Sequence, residues 1–403
     1  MTKQKILTRT VLLISFVSLF NDIATEMLYP IMPVYLKSIG FSIILIGILE
    51  GLAEATAGLS KGYFGNLSDK MGVRMPFVRF GYTMSTLAKP MFALFTYPLW
   101  IFFARTTDRF GKGIRTSARD AILSDETTPE NKGKVFGFHR GMDTLGAAIG
   151  PVIALIYLYF HPGEYKWMFI IAFFPGVVSI LITFFIKEKK KSFHPEKVKV
   201  SFFSYFKYWK RATPEYKKVV IGLLAFTLFN SSDAFLLLAL KNNGMSDVSM
   251  IAYYIFYNVI FAFFSYPVGH IADKIGLKSM LVIGFVLFAL VYLAMGFSGS
   301  ILFLTNPIVI FGIIFFVYGI YAATNEGIAK ALISNLAARS ETATAIGFYT
   351  SFSSIFTMIA SSLAGLIWFG WGLKWMFFIS GAGVLLTVVY FIAGRMKLNK
   401  YNA

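Results

Sequence analysis

Twelve stretches of this chain are each long and apolar enough to span a bilayer, which limits the fold more than any other feature. A membrane helix needs about 20 mostly apolar residues. Cutting the chain at polar and Gly/Pro breaks places the stretches at roughly 10–36, 43–66, 76–95, 99–124, 134–160, 167–187, 217–240, 248–271, 279–297, 306–335, 343–368 and 374–394. Lipid offers a backbone amide no hydrogen-bond partner, so each span must satisfy its own backbone as a helix. The predicted class is an all-α membrane protein with twelve transmembrane helices. Of 403 residues, 57% are apolar and 14% charged, against about 25% charged in soluble domains. Residues 1–20 have the basic-then-apolar order of a signal peptide. Asn21, Asp22 and Glu26 follow where a small-x-small cleavage site would stand, so the stretch is read as a retained first span.

The least lipid-like sequence lies in the fourth stretch, where Arg105 to Asp120 reads RTTDRFGKGIRTSARD. At ~100° per residue, Arg105, Arg109, Lys112, Arg115 and Arg119 share about a third of a helix circumference. A charge at the bilayer centre costs at least ~2.5–3.5 kcal/mol, so this stripe must face a partner, water or a ligand.

Elsewhere the charge sorts by loop. Segment 187–218 holds eleven Lys/Arg against Glu188, Glu196 and Glu215. Lys3, Lys5 and Arg9 precede the first span, and Arg395, Lys397 and Lys400 follow the last. Short loops near 70, 130, 274 and 339 are basic, whereas the alternate loops hold only Lys37, Lys166, Lys241 and Lys374. The positive-inside rule then puts both termini and the middle loop in the cytoplasm, in a multi-pass plasma membrane protein of bacterial or archaeal type. The net charge of +18 thus reads as topology and attraction to anionic lipid, not nucleic-acid binding. Within the middle loop, Ser201 to Arg211 (SFFSYFKYWKR) mixes aromatics with basic residues, as a linker containing a helix on the inner membrane surface would.

The absence of cysteine excludes disulfides, thiolate metal sites and Cys nucleophiles. His139, His161, His194 and His270 lack metal-ligand spacing. No Walker loop, dinucleotide fingerprint, zinc motif or nucleophile elbow is present, so neither an enzyme nor a cofactor is expected.

The two halves repeat. Phe20-Asn21 answers Phe229-Asn230, and Gly65 to Arg74 (GNLSDKMGVR) answers Gly269 to Lys278 (GHIADKIGLK). Asp120 to Asp125 (DAILSD) answers Lys330 to Asn335 (KALISN), and Gly137-Phe138 answers Gly347-Phe348. The offsets stay between 204 and 210. A parallel repeat of six spans describes two pseudo-symmetric six-helix bundles with a site between halves that rock. The expected domains are 1–187, a cytoplasmic linker at 188–216, and 217–403.

These residues resemble the major facilitator superfamily, along the whole chain. The superfamily's loop of form G-x-x-x-D-x-x-G-x-R is matched by Gly65, Asp69, Gly72 and Arg74, with Pro76 where a further basic residue often stands. Asp69 is suited to a helix N-terminus and a cation partner. The motif of an Arg followed after twenty residues by an Asp is matched by Arg105 and Asp125, although Arg109 replaces the expected Gly. The antiporter signature G-x8-G-x3-G-P-x2-G-G is matched by Gly137, Gly146, Gly150 and Pro151, with Ala154 and Leu155 replacing its last pair. The resemblance implies a secondary transporter, and the signature implies export. Gly65, Asp69, Gly72, Arg74, Arg105, Arg119, Asp125, Gly146, Gly150 and Pro151 are assigned to gating.

Acids in the N-half spans are Asp22, Glu26, Glu50, Glu54, Asp108, Asp120 and Asp143. Bases are Lys61, Lys89, Arg105, Arg109, Lys112, Arg115, Arg119 and Arg140, with Arg79, Lys134 and Lys187 within three residues of a span end. The near balance gives the stripe internal partners. Asp22 and Glu26 share one face of the first span, and intramembrane carboxylates are functional by default. Asp22, Glu26, Glu54 and Asp143 are the candidates for proton coupling. The alternative for the first pair is permanent pairing with Arg109, Lys112 or Arg140. Candidates for substrate contact are Asn21, Arg109, Lys112, Arg115 and His139, with Asn230, Asp233, Tyr257, Asn325 and Glu326 from the other half. Lys330, one turn from Glu326, is placed to neutralise it. The expected function is proton-coupled export of a small drug-like or metabolic molecule by a monomer in the bilayer. Import or exchange of an anionic metabolite or metal chelate, clamped by Arg109, Lys112 and Arg115, is the alternative, and a lipid flippase is a third.

Overall fold

The computed structural model describes residues 6–29, 31–188, 201–298 and 306–394. The basic residues Lys3, Lys5, Lys189, Lys190, Lys191, Lys197, Lys199, Arg395, Lys397 and Lys400, with His194 and Glu196, lie outside these. The described elements are all helical. They are α1 (Arg9–Glu26), α2 (Met32–Ser38), α3 (Ile43–Met71), α4 (Met75–Leu94), α5 (Pro98–Asp125), α6 (Lys132–Phe160) and α7 (Tyr165–Thr183). The linker contains α8 (Tyr208–Arg211), and after it come α9 (Pro214–Phe229), α10 (Ala234–Asn242), α11 (Asp247–Ile275) and α12 (Leu277–Gly296). The last are α13 (Pro307–Leu336), α14 (Thr342–Trp371) and α15 (Leu373–Ala393).

Eight segments among the described residues are long and apolar enough to cross a membrane by length and composition. They start with α6 and α7 and continue with every long helix from α9–α10 onward. The first, second, third and fourth stretches of the sequence fall short because ionisable and polar residues interrupt them, such as Glu50, Glu54 and Lys61 on α3. The twelve-span count therefore exceeds what apolarity alone supports.

Two compact units form, and they do not follow the linear division throughout. Unit 1 comprises 1–128, 142–212 and 337–354; unit 2 comprises 129–141, 213–336 and 355–403. The first turns of α6 thus pack within unit 2, and those of α14 within unit 1.

In unit 1, α5 lies between α3 and α4. Glycines permit the approach: a Cβ on Gly81 would sit 2.6 Å from the carbonyl of Gly111, and one on Gly113 would strike Ser60. Small residues let helices touch along their backbones, which compensates for the weak hydrophobic drive between helices in lipid. Around α2, an apolar cluster gathers Tyr35, Leu36, Leu49, Phe92, Met168 and Phe169. Tyr35 donates to the carbonyl of Phe92 at 2.8 Å, so its hydroxyl is satisfied in this apolar setting.

Three acids close helix N-termini. Glu188 accepts from the amides of Arg74 and Met75 at 2.8 and 3.0 Å, at the start of α4. Asp69, at the end of α3, accepts from the amide and hydroxyl of Thr344 in α14 at 2.7 and 2.8 Å. In unit 2, Asp273 at the end of α11 accepts from the amides of Gly133 and Lys134 in α6 at 2.7 and 2.9 Å. Each supplies charge and acceptors where helix amides lack intrahelical partners.

The linker segment 201–212 packs against unit 1. Tyr205 is fully buried, its ring where a Cβ on Gly62 would stand. Phe202 stacks on Tyr63 and Trp209 on Phe348. Arg211 reaches Glu341 at 3.1 Å, but Arg211 is exposed and Glu341 only half-buried. Aromatic burial, not that ion pair, holds the segment. Arg211→Ala is expected to cost less than about 1 kcal/mol in thermal unfolding of the purified protein.

Unit 2 packs α12 between α13 and α15, with α11 against α13. Phe226, Phe285, Phe288, Tyr292 and Tyr321 form its aromatic interior, with Phe226 and Phe285 stacked at 4.2 Å. The seventh stretch is broken: α9 ends at Phe229, 230–232 leave helical conformation, and α10 resumes at Ala234 with Asp233 as its N-cap.

Candidate functional site

The basic stripe of α5 is mostly buried, but Lys112 is half-buried and Glu54, beside Arg109, is exposed. Every residue from Gly113 to Ser124 is buried. Carboxylates meet the stripe in layers. Glu50 of α3 accepts from Arg105 at 2.6 Å. Asp108 stands 3.7 Å from Arg105, 3.8 Å from Lys89 and 3.9 Å from Arg109. Glu54 lies 3.3 Å from Arg109. Further along, Arg119 bonds Asp120 at 2.9 Å, approaches Asp143 at 3.8 Å and donates to Ser18 at 3.0 Å. These pairs remove Arg105, Arg109 and Arg119 from the set of uncommitted cations.

Lys112 and Arg115 differ, since neither forms a salt bridge among the described residues. Arg115 donates to Ser85 at 2.6 Å and lies 4.4 Å from the centre of the Tyr82 ring. A desolvated guanidinium over an aromatic face gains cation–π energy but keeps its net charge.

That charge faces the acids of α1. Asp22 is half-buried and accepts from the Asn21 amide at 3.1 Å, with no salt bridge among the described residues. The charges acting on it are the negative Asp143 and Glu26 and the positive Lys112, Arg115 and Lys89. The Oδ1 of Asn21 is buried without a hydrogen-bond partner. Helix α6 presses on this turn: a Cβ on Gly146 would lie 2.6 Å from the carbonyl of Leu19 and 3.0 Å from the Cβ of Asp22. One on Gly150 would lie 2.6 Å from the amide of Met27. Gly146 and Gly150 thus bring the α6 backbone against the carboxylate-bearing face of α1, and Pro151 follows them inside the same helix.

At the other end of unit 1, Arg74 bonds Asp69 at 3.1 Å and Asp125 at 3.3 Å. Gly72 ends α3 in the left-handed conformation, with φ 67°, which glycine adopts without strain. A Cβ on Gly65 would strike the carbonyl of Ala343.

Unit 2 holds the remaining candidates. Asp233 accepts from the hydroxyls of Tyr257 and Tyr318, both at 2.6 Å. Glu326 is bonded to Arg140 at 2.7 Å and Lys330 at 2.9 Å. Asn325 donates to the Tyr321 hydroxyl at 3.1 Å. His139 is buried on the part of α6 that belongs to this unit, and Gly137 packs against the carbonyl of Ser265. The sequence reading brings Tyr257 together with Asp233 but omits Tyr318. Tyr318 stands two helical turns before Asn325, a spacing that marks one face and was available as a signal. Ser18, Tyr82 and Ser85 are also absent from it, because hydroxyls within apolar runs barely alter their hydropathy.

The family model of the Major Facilitator Superfamily matches residues 14–261 and 220–401. A relative described as an uncharacterised MFS-type transporter of Methanocaldococcus jannaschii is 33% identical over 368 residues, covering 90% of this chain and 89% of the relative. The chain belongs to the Major Facilitator Superfamily and is a multi-pass membrane transporter of that family. Citrate exporter 1 of Aspergillus niger is 25% identical over 175 residues, 43% of this chain and 33% of the relative. The fold matches the human organic anion transporter TETRAN with a TM-score of 0.79 at 14% identity, covering 95% of this chain and 99% of that one. It also matches the Escherichia coli fucose:proton symporter with a TM-score of 0.74 at 12% identity, covering 98% of each chain.

Proposed function

We propose that the protein is a secondary transporter that exports a small organic molecule in exchange for protons by alternating access. The observation that carries this reading is Asp22, a half-buried intramembrane carboxylate with no salt bridge among the described residues. A permanently paired carboxylate is a structural strut, whereas one held only by an amide can gain and lose a proton within the transport cycle. Asp143 and Glu26 add negative charge beside it, and Lys112 and Arg115 add positive charge, so its proton affinity responds to anything that binds or moves there. The antiporter-like glycines of α6 abut this turn, which supports the outward direction. Cytoplasmic termini and a plasma-membrane location belong to the same proposal, supported by the charge asymmetry of the loops.

The test uses proteoliposomes and a labelled panel of amphiphilic amines, alcohols and carboxylates. Asp22→Asn is expected to abolish accumulation driven by an imposed proton gradient while retaining gradient-free counterflow of the same solute. Gradient-driven accumulation that survives in this variant would refute the assignment.

A second reading has its own observation. Arg115 and Lys112 carry no salt bridge among the described residues and would clamp an anionic metabolite. The citrate exporter among the relatives points the same way. Under this reading, Arg115→Gln weakens transport of carboxylates alone within the same panel.

A further inference from the structure

We propose that Asp233 and the aromatic rings around it form a binding site for a protonated organic amine, an inference that rests on the reading of the protein as a carrier of small organic molecules. The site lies at the break between α9 and α10, where 230–232 are unwound and Asp233 is the N-cap of α10. Unwound backbone at membrane depth persists where it is buried in protein or lines a cavity, and transporters use such breaks to hold charged ligands.

The chemistry of the site selects the charge of its ligand. Each oxygen of Asp233 accepts one tyrosine hydroxyl, from Tyr318 and Tyr257. No cationic side chain forms a salt bridge with Asp233 among the described residues, whereas Glu326 in the same unit has two. Both hydroxyl protons are committed to the carboxylate, so what remains for a ligand is acceptor capacity. The second lone pairs of the carboxylate supply it. So does the Oδ1 of Asn230, three residues earlier, which is buried without a hydrogen-bond partner. An ammonium group brings up to three donors and a positive charge; a carboxylate ligand would bring neither.

The rings suit the same ligand. Tyr257 and Tyr318 stand 5.3 Å apart at 68°, with Tyr254 5.5 Å and Phe315 6.2 Å from Tyr257. Ring faces carry negative quadrupole potential and attract cations, most strongly where water is excluded. Tyr257 and Tyr318 are buried, while Asp233 and Tyr254 are half-buried, so the carboxylate is within reach of a ligand.

The experiment titrates the purified full chain in lipid nanodiscs with phenethylammonium, phenethyl alcohol and phenylacetate, three probes alike in shape and unlike in charge. Binding is read by calorimetry without a proton gradient, so failed proton coupling and a failed amine site give different results. Phenethylammonium is expected to bind saturably, the alcohol and the carboxylate not to compete, and Asp233→Asn to weaken binding roughly tenfold or more. Asn230→Leu, which removes the orphan acceptor and keeps the carboxylate, is expected to weaken it less, and it carries the test if Asp233→Asn does not fold. Equal phenethylammonium binding by wild type and the folded variant overturns the proposal. So do tighter binding of phenylacetate, displacement of the amine by sodium chloride at constant ionic strength, and absence of amine binding at millimolar concentration.

Discussion

Asp108→Ala is expected to lower the stability of the purified protein by about 3–5 kcal/mol. Asp108 is buried, and three buried cations lie within 4 Å of it: Lys89, Arg105 and Arg109. Arg105 keeps Glu50 and Arg109 keeps Glu54 after the change. Lys89 loses its salt-bridge partner and keeps the Ser85 carbonyl at 3.1 Å and the more distant attraction of Asp22. Breaking a buried pair by removing one partner is costly because the other charge stays desolvated, whereas replacing both partners with apolar groups is often neutral. The loss therefore belongs mainly to Lys89, and Lys89→Met in the Asp108→Ala background should recover a large part of it. The measurement is a double-mutant cycle of thermal unfolding followed by tryptophan fluorescence. A loss as small as that of Arg211→Ala, or no recovery from Lys89→Met, would show that Asp108 is not the partner these cations depend on.

The same residues show what could be read from the chain and what could not. The stripe on α5 was legible because five cations at helical spacing cannot be left in lipid, and the count of acids in neighbouring spans supplied partners before any geometry was known. The choice of partner was not legible. Asp108 lies on the stripe's own helix and takes three cations, while Asp22, with equal claim by sequence, takes none. Hydropathy does not report rotamer or helix rotation. The internal repeat aligned Asp69 with Asp273, and both stand at helix N-termini in the structure. The repeat gave no sign that the first turns of α6 and α14 pack in a different unit from the rest of those helices, since chain order carries no information on partners distant in sequence. The break at 230–232 was hidden for a local reason: it holds neither Gly nor Pro, only Asn230, Ser231 and Ser232 before the N-cap Asp233, and these side chains compete weakly with helical hydrogen bonds.

The repeat also sets up the second large expected effect, a difference between two equivalent acids. Asp69→Ala should cost about 3 kcal/mol and Asp273→Ala only about 1–2 kcal/mol, although each caps the first turn of a helix. Capping itself is similar in the two: Asp69 holds the amide and hydroxyl of Thr344, and Asp273 holds the amides of Gly133 and Lys134. The difference is the buried cation. Arg74 bonds Asp69 at 3.1 Å, with both side chains under 5% exposed, and its remaining acid, Asp125, is farther away and more exposed. The aligned position in the second copy is Lys278, which donates to the carbonyl of Gly394 at 3.4 Å. Removing Asp69 thus opens a helix end and weakens the pairing of a desolvated guanidinium, whereas removing Asp273 opens a helix end alone. Asp69→Asn separates the two terms, because an amide oxygen still accepts from Thr344 but brings no charge to Arg74. If charge dominates, Asp69→Asn unfolds at nearly the same temperature as Asp69→Ala. If capping dominates, it unfolds close to wild type, and the gap between Asp69→Ala and Asp273→Ala closes.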